Sequence, residues 1–575
     1  MEEEKVKTDT NGRIKMKSWM QFILIVSAVI TVYVLSTFIH LRLDLTEDHR
    51  YTLSAPTHKV LSRLKNDIFI QVYLDGDMEI AFKKLRRSVK EMLDEFRVAS
   101  GKKVDYEFIN PSAGKDARTR NNLYQVLVNK GLNPVDIRAK DNEGKTSSKI
   151  IFPGIIVNYN GIEVPVNFLS NNTSLSPEQN ILHSVEGLEY QMIQTISTLC
   201  SDTIYKVAFI EGHGEIPEIE TADITLTLAK FFTVDRGKIA GKQGILDKYA
   251  AIVIAGPETS FDEKDKLVID QYIMNGGKVL WLCEEVKVNE DSLNVGETIA
   301  LYRTLNIEDQ LFKYGARINP AIVQDLDCMQ IPMIIETGAS QHQTIQVPWI
   351  YYPLLNPSSL SSITRNLNKV EGRFVNYIDT VGLNPEVRKK ILLTTSALSR
   401  IVKPPLLISL KEIDSPPERN QFNKSFLPVA VLFEGKFQSA FRNRILNDLV
   451  DNKNFTFRDE SKPTKMIVVA DADIIRNGVS RVGSEVSPLP LGQDKLTQGT
   501  WGNKDFLVNC LNYLVDNNGI MELRSRELKL RLLDKPVIRQ SRVTIQIINT
   551  TLPIILVIFT GLIYNYFRRR KYARY

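Results

Sequence analysis

Residues 207–215 read V-A-F-I-E-G-H-G-E, an apolar run that ends in a histidine between two glycines and two carboxylates. Histidine titrates near neutrality and ligates metals, and neighbouring carboxylates can orient it or share a cation with it. Glu211, His213 and Glu215 are therefore the candidate ligand or contact residues. A metal site would want a second histidine or a fixed carboxylate cluster, and Glu218 lies close enough in sequence to join one. Gly212 and Gly214 equally permit a tight strand-to-helix turn held by a His213 hydrogen bond. A structural turn or protein contact and a small-ligand or metal site both remain open. Catalysis asks for a second group in register, and none accompanies His213.

Other chemistry-bearing residues are scattered. The histidines are His40, His49, His58, His183, His213 and His342, and the cysteines are Cys200, Cys283, Cys328 and Cys510. They include no C-x-x-C and no zinc-like pairing, so buried free thiols are expected, although an oxidising compartment would allow a disulfide. Cys283 ends the strand-like V-L-W-L-C, as a nucleophile in an amidotransferase-like fold would. Such an elbow needs small flanking residues, whereas Leu282 and Glu284 flank this thiol, and Glu284 and Glu285 oppose a thiolate. A-K-D-N-E-G-K-T (139–146) meets a loose phosphate-loop pattern, but the following S-S-K-I-I-F-P-G-I-I-V reads as strand and Asp141 and Glu143 repel phosphate. A hairpin turn is expected there. No catalytic, metal or nucleotide residue is assigned, and no cofactor is expected.

The elements that must position these residues alternate between helix and strand. Ile68–Leu74, Phe82–Ala99 and Val104–Ile109 form a β-α-β pattern, continued by a helix over Leu123–Lys130 and by strands over Val135–Ala139, Lys149–Tyr159 and Ile162–Phe168. Residues 52–170 suit a thioredoxin-like α/β domain without C-x-x-C. A connector helix occupies 176–200. Residues 204–285 then read strand, helix, strand, helix, strand, which implies a parallel doubly wound sheet of amidotransferase-like, Rossmann-like order. Ligands of such sheets sit at the carboxyl ends of strands, where E-G-H-G-E falls. Residues 286–460 read as a β-rich insertion, and 464–520 as the return of the α/β domain through K-M-I-V-V-A-D-A-D and a helix over Asn503–Leu514.

Two uncharged stretches bracket these domains. Residues 18–41 and 543–567 each suit a transmembrane helix of about 20 residues or more, and Pro553 and Gly561 in the second are tolerated better in a membrane than in water. The first lacks a small-x-small cleavage site after it, so an uncleaved anchor is expected. The basic tails 1–17 and 568–575 hold ten basic and four acidic residues out of 73 and 67, so the net charge of +6 belongs to them. That leaves no basic field for nucleic acid. The positive-inside rule puts both termini in the cytoplasm of a two-pass inner-membrane protein, with a large periplasmic domain.

Six stretches carry a resemblance: D-L-T-E-D-H-R-Y-T-L-S (44–54), V-A-F-I-E-G-H-G-E (207–215), Y-Y-P-L-L-N-P-S-S (351–359), P-V-A-V-L-F-E-G-K-F (428–437), M-I-V-V-A-D-A-D (466–473) and N-K-D-F-L-V-N-C-L-N-Y-L (503–514). Together they resemble the GldG family of gliding-motility-associated ABC-transporter accessory proteins. The resemblance implies a non-catalytic subunit working with a multispan ABC permease and a cytoplasmic ATPase, in gliding and linked secretion of surface adhesins, with envelope or secretion-system partners. It names no catalytic residue. A periplasmic amidotransferase-like hydrolase is the alternative. A solute-binding receptor is another, and it requires a ligand-sized pocket between the two α/β domains.

Overall fold

The computed structural model describes residues 19–34, 52–525 and 540–572, apart from 115, 141–145, 170, 171, 173, 174, 202, 203, 294, 338–340, 383, 446–455, 484 and 495–498. The tail 1–17, the stretch 44–51 and the turn of the phosphate-loop look-alike lie outside the described residues. The chain divides into two units, residues 1–526 and 527–575.

In the first unit, α1 (Trp19–Val34) is a short apolar helix within the first expected span, whose remaining residues lie outside the described ones. Helix α2 (Ala55–Ser62) starts at Ser54, whose side chain accepts the Thr57 N–H, with proline in its first turn. Strand β1 (Ile68–Val72), α3 (Ile80–Ala99) and β2 (Val104–Phe108) form a β-α-β unit with Ile68 opposite Val104 in a parallel pair. Helix α3 buries Phe82, Leu85, Val89, Leu93 and Phe96, spaced three or four apart, so one face packs on the sheet. Helix α4 (Ala117–Asn129) follows its cap Asp116. Strands β3 (Val135–Lys140) and β4 (Thr146–Ile151) pair antiparallel, so the chain after Lys145 continues as strand and offers no helix N-terminus to phosphate. Strands β5 (Gly154–Tyr159) and β6 (Ile162–Asn167) complete a sheet of order β2-β1-β5-β6, mixed because β1 and β5 are antiparallel.

Helix α5 (Pro177–Leu199) opens with a reciprocal capping box between Ser176 and Gln179. Its buried Ile181, Leu188, Met192, Ile193 and Ile196 share a core with α3 and with Ile520, Met521 and Leu523. Buried Glu189 accepts hydrogen bonds from the Ser54 N–H (2.9 Å) and the Thr57 hydroxyl (2.7 Å), which ties α2 to this connector.

Beyond α5 lies a ten-stranded sheet. Strands β7 (Lys206–Glu211), β8 (Thr233–Lys238), β9 (Ala251–Ala255) and β10 (Val279–Leu282) run parallel, and helices α6 (Ala222–Leu228) and α7 (Glu263–Met274) belong to this parallel half. Strand β8, with the polar sequence T-V-D-R-G-K, is absent from the sequence-based pattern because it is an edge strand with little apolar content. Strands β11 (Cys328–Thr337), β12 (Gln341–Pro357), β13 (Val387–Thr394) and β14 (Pro428–Gly435), from the β-rich stretch between the α/β halves, extend the same sheet antiparallel. Strand β15 (Thr464–Val469) joins the halves, parallel to β10 and antiparallel to β14, so the order is β11-β12-β13-β14-β15-β10-β9-β7-β8, with Val370–Glu371 beside β12. Helix α8 (Asn503–Val515) buries Phe506, Leu507, Cys510, Leu511 and Leu514 against one face.

The second unit holds α9 (Arg542–Tyr572), of which Arg542–Arg570 is the one described helix long and apolar enough to cross a membrane. Its 31 residues reach about 46 Å at 1.5 Å per residue. The Thr550, Thr551 and Thr560 hydroxyls donate to the carbonyls of Gln546, Ile547 and Leu556 one turn back, which keeps polar groups satisfied within the helix.

Candidate functional site

Strand β7 ends at Glu211, and the chain turns through Gly212 (φ +121°) and Gly214 (φ +75°), left-handed conformations that favour glycine. The turn is clasped to the loop after β9, because the Glu258 and Thr259 N–H groups both donate to the His213 carbonyl at 2.8 and 2.9 Å. The His213 side chain is 8% exposed and both ring nitrogens are engaged. Nδ1 lies 3.0 Å from Glu215 Oε1 and Nε2 lies 3.1 Å from Asp265 Oδ2. The ring stacks on Phe261 with centroids 3.7 Å apart and planes 18° apart.

Burial opposes a charge on this ring, but the Asp265 and Glu215 carboxylates outweigh it and raise His213 from 6.5 to about 9. At neutral pH it is an imidazolium between two carboxylates. Asp265 is held in place by the Gly241 N–H at 2.6 Å and by the cap at the start of α7, where its own N–H donates to Asp262. Burial pushes Asp265 upward, yet the His213 and Gly241 hydrogen bonds win and keep its carboxyl below the usual range.

Of the three sequence candidates, His213 and Glu215 meet. Glu211 does not join them: its side chain is 41% exposed and lies 3.5 Å from Arg236. The partner that sequence reasoning missed is Asp265, 52 residues away in the first turn of α7, where it reads as an ordinary N-terminal helix acid. An imidazolium with both nitrogens donated offers no lone pair to a metal and no base to a substrate. The arrangement staples the β7 turn to α7.

Strands β10 and β15 follow β9 in the sheet order, on the side away from β7, and their ends carry a second constellation. Oxygens of Glu284, Asp471 and Asp473 lie within 4.8 Å of one another. Backbone N–H groups aim these carboxylates: Ala472 donates to Glu284 at 2.9 Å, and Arg373 and Asp473 donate to Asp471 at 3.0 and 2.8 Å. Burial, then the Asp473 charge, raises Glu284 to about 8, and the same causes with Glu284 added push Asp471 well up. Arg303 lies 3.9 Å from Glu284, and Arg476 pairs with Asp473 at 2.7 Å. These three carboxylates are the metal-capable group among the described residues, and its sequence signal is the pair E-E and the triplet D-A-D just past two apolar strands.

Cys283 lies between the two clusters in chain order and is fully buried. Burial pushes its thiol well up, and Glu284, Glu285 and Glu215 push it further, so the reactive thiolate is disfavoured. All four cysteines are free, Cys200 and Cys328 partly exposed and Cys283 and Cys510 buried.

Residues 205–510, just over half of the chain and every strand of the ten-stranded sheet, match the profile of a family described as an ABC-type uncharacterized transport system. Residues 47–158 match a domain of unknown function, DUF7088. No curated protein shows significant similarity to the chain. A solved structure of the mmIFT52 N-terminal domain is similar at 12% identity, covering 54% of this chain and 98% of that one, with a TM-score of 0.31. A likeness at that score carries no argument about fold or function.

Proposed function

Because this chain belongs to the auxiliary family of an ABC-type transport system, we propose that it is a non-catalytic, membrane-anchored accessory subunit of an ABC transporter. The family match over the ten-stranded sheet carries the reading. The strand ends agree with it: the histidine there is bonded on both nitrogens and the cysteine is a buried, protonated thiol. Glu211, His213 and Glu215 then serve the fold of this edge and present a rigid turn, with Glu211 available for contact.

The apolar helix α9 anchors the subunit, with α1 and the residues after it as the second pass. Both termini lie in the cytoplasm of a bacterial inner membrane, and the two α/β regions, one of thioredoxin-like and one of amidotransferase-like order, lie in the periplasm. The partners are a multispan permease and a cytoplasmic ATPase, and the GldG resemblance makes gliding motility and adhesin secretion the process served. Isolation from its own membranes in mild detergent tests this. A permease and an ATPase should accompany the chain, whereas a chain that emerges alone would remove the accessory role.

A further inference from the structure

A cleft of about 350 Å³ lies away from the strand ends, where α5 faces the loop after β12 and the start of α8. Its walls join the first α/β region to the ten-stranded sheet. They are held by the Asn172 amide donating to the Leu367 carbonyl (3.2 Å) and the Asn366 amide donating to Glu186 (3.1 Å). Among the wall atoms buried without a hydrogen-bond partner are His183 Nδ1, Gln191 Oε1 and Trp501 Nε1. The indole nitrogen only donates, the amide oxygen only accepts, and the imidazole nitrogen does either according to its tautomer. A buried polar group left bare is costly, and several on facing walls of one cleft call for a partner that arrives from outside the fold.

We propose that this cleft binds a small, uncharged, polyhydroxylated molecule, a mono- or disaccharide in chemical class. Charge argues for that class. The wall carries Glu186 and Asp505 against Arg365 and Arg524, a balanced set. Its arginines are engaged with backbone, Arg365 with the Ser525 carbonyl and Arg524 with the carbonyls of Ser362 and Arg365. An ionic ligand finds no surplus field there. Sugar hydroxyls each donate and accept, which matches the mixed set of bare atoms and the Asp505 carboxylate. Ligand pockets run from roughly 300 to 1,000 Å³, so this cleft suits a ligand at the small end. The bare atoms are covered by their neighbours, so the ligand meets them through small side-chain torsions as it enters.

The inference rests on the cleft alone and is independent of the accessory role. The test titrates the full chain in detergent micelles by calorimetry and thermal melting with glucose, galactose, N-acetylglucosamine and maltose. Alanine, glutamate and inorganic phosphate form the ionic arms. One of the saccharides should bind at millimolar concentration or below and raise the melting temperature, while the ionic arms leave it unchanged. W501F keeps an aromatic side chain and removes the donor, and Q191M keeps the length and removes the acceptor. Each should weaken that saccharide about tenfold, the size of one lost hydrogen bond. The proposal is overturned if none of the four saccharides binds, if the ionic probes bind in their place, or if both folded variants bind the sugar as wild type does. Should W501F fail to fold, the wild-type titration and Q191M decide alone.

Discussion

At the residue scale, the chain puts a charged histidine under the sheet edge and uses it as a clamp. Its pKa is about 9 in the fold and 6.5 ordinarily, so its contribution to stability is complete below pH 6.5 and is lost as pH rises from 6.5 through about 9. The shift corresponds to about 3 kcal/mol. H213A should therefore lower the melting temperature at pH 6 and differ little from wild type near pH 10, read by thermal melts across pH. An equal loss at both pH values would show that packing on Phe261, not charge, carries the clamp. Glu284 runs in the same direction over a lower window, but there the charged form is a penalty where for His213 it is a gain. Its folded pKa of about 8 lies above its ordinary 4.5, so wild type loses stability as pH climbs through that window, and E284Q does not. E284Q should be near neutral at pH 4.5 and increasingly stabilising up to pH 8, provided the Ala472 N–H keeps its acceptor. Destabilisation at every pH would instead mean that the carboxylate is needed charged.

At the element scale, what was legible follows apolar content and capping. Helices α5 and α7 announce themselves through Ser176-Pro177 and Asp262 caps followed by apolar positions at helical spacing, and β7, β9, β10 and β15 through runs that only a buried parallel strand tolerates. Polar β8 carries no such signal. The antiparallel extension β11–β14 was hidden for another reason: β13 and β14 read as strand-like runs, but nothing local says that the extension joins β15 and not a sheet of its own. The site divides in the same way. The turn with its glycines is local and readable, whereas the His213–Asp265 pair and the Glu284–Asp471–Asp473 group exist only once the sheet brings strand ends together. Sheet closure makes its own demand at Gly435, at the end of β14, where φ is +144° and a Cβ would meet the Glu386 carbonyl oxygen at 1.8 Å. G435A should cost at least about 2 kcal/mol through this clash and strained backbone. Chemical denaturation measures it, and an unchanged midpoint would show that the β13–β14 pair can shift.

At the scale of the whole molecule, the second unit carries a helix with no charged residue across 543–567, long and apolar enough to cross a membrane. Truncation before residue 527 removes that helix while leaving the first unit whole. The truncated chain should extract from membranes more readily than the full one, and identical extraction would show that the stretch 18–41 holds the chain by itself. Both basic tails should report cytoplasm, so a reporter fused after Tyr575 that reads out as periplasmic would reverse the topology. The accessory role itself is tested most directly by isolating the full chain from its native membranes in mild detergent and identifying what accompanies it. The account predicts a multispan permease and an ATPase in constant proportion to the chain; a chain recovered without either, under conditions that keep other transporter complexes intact, would contradict it.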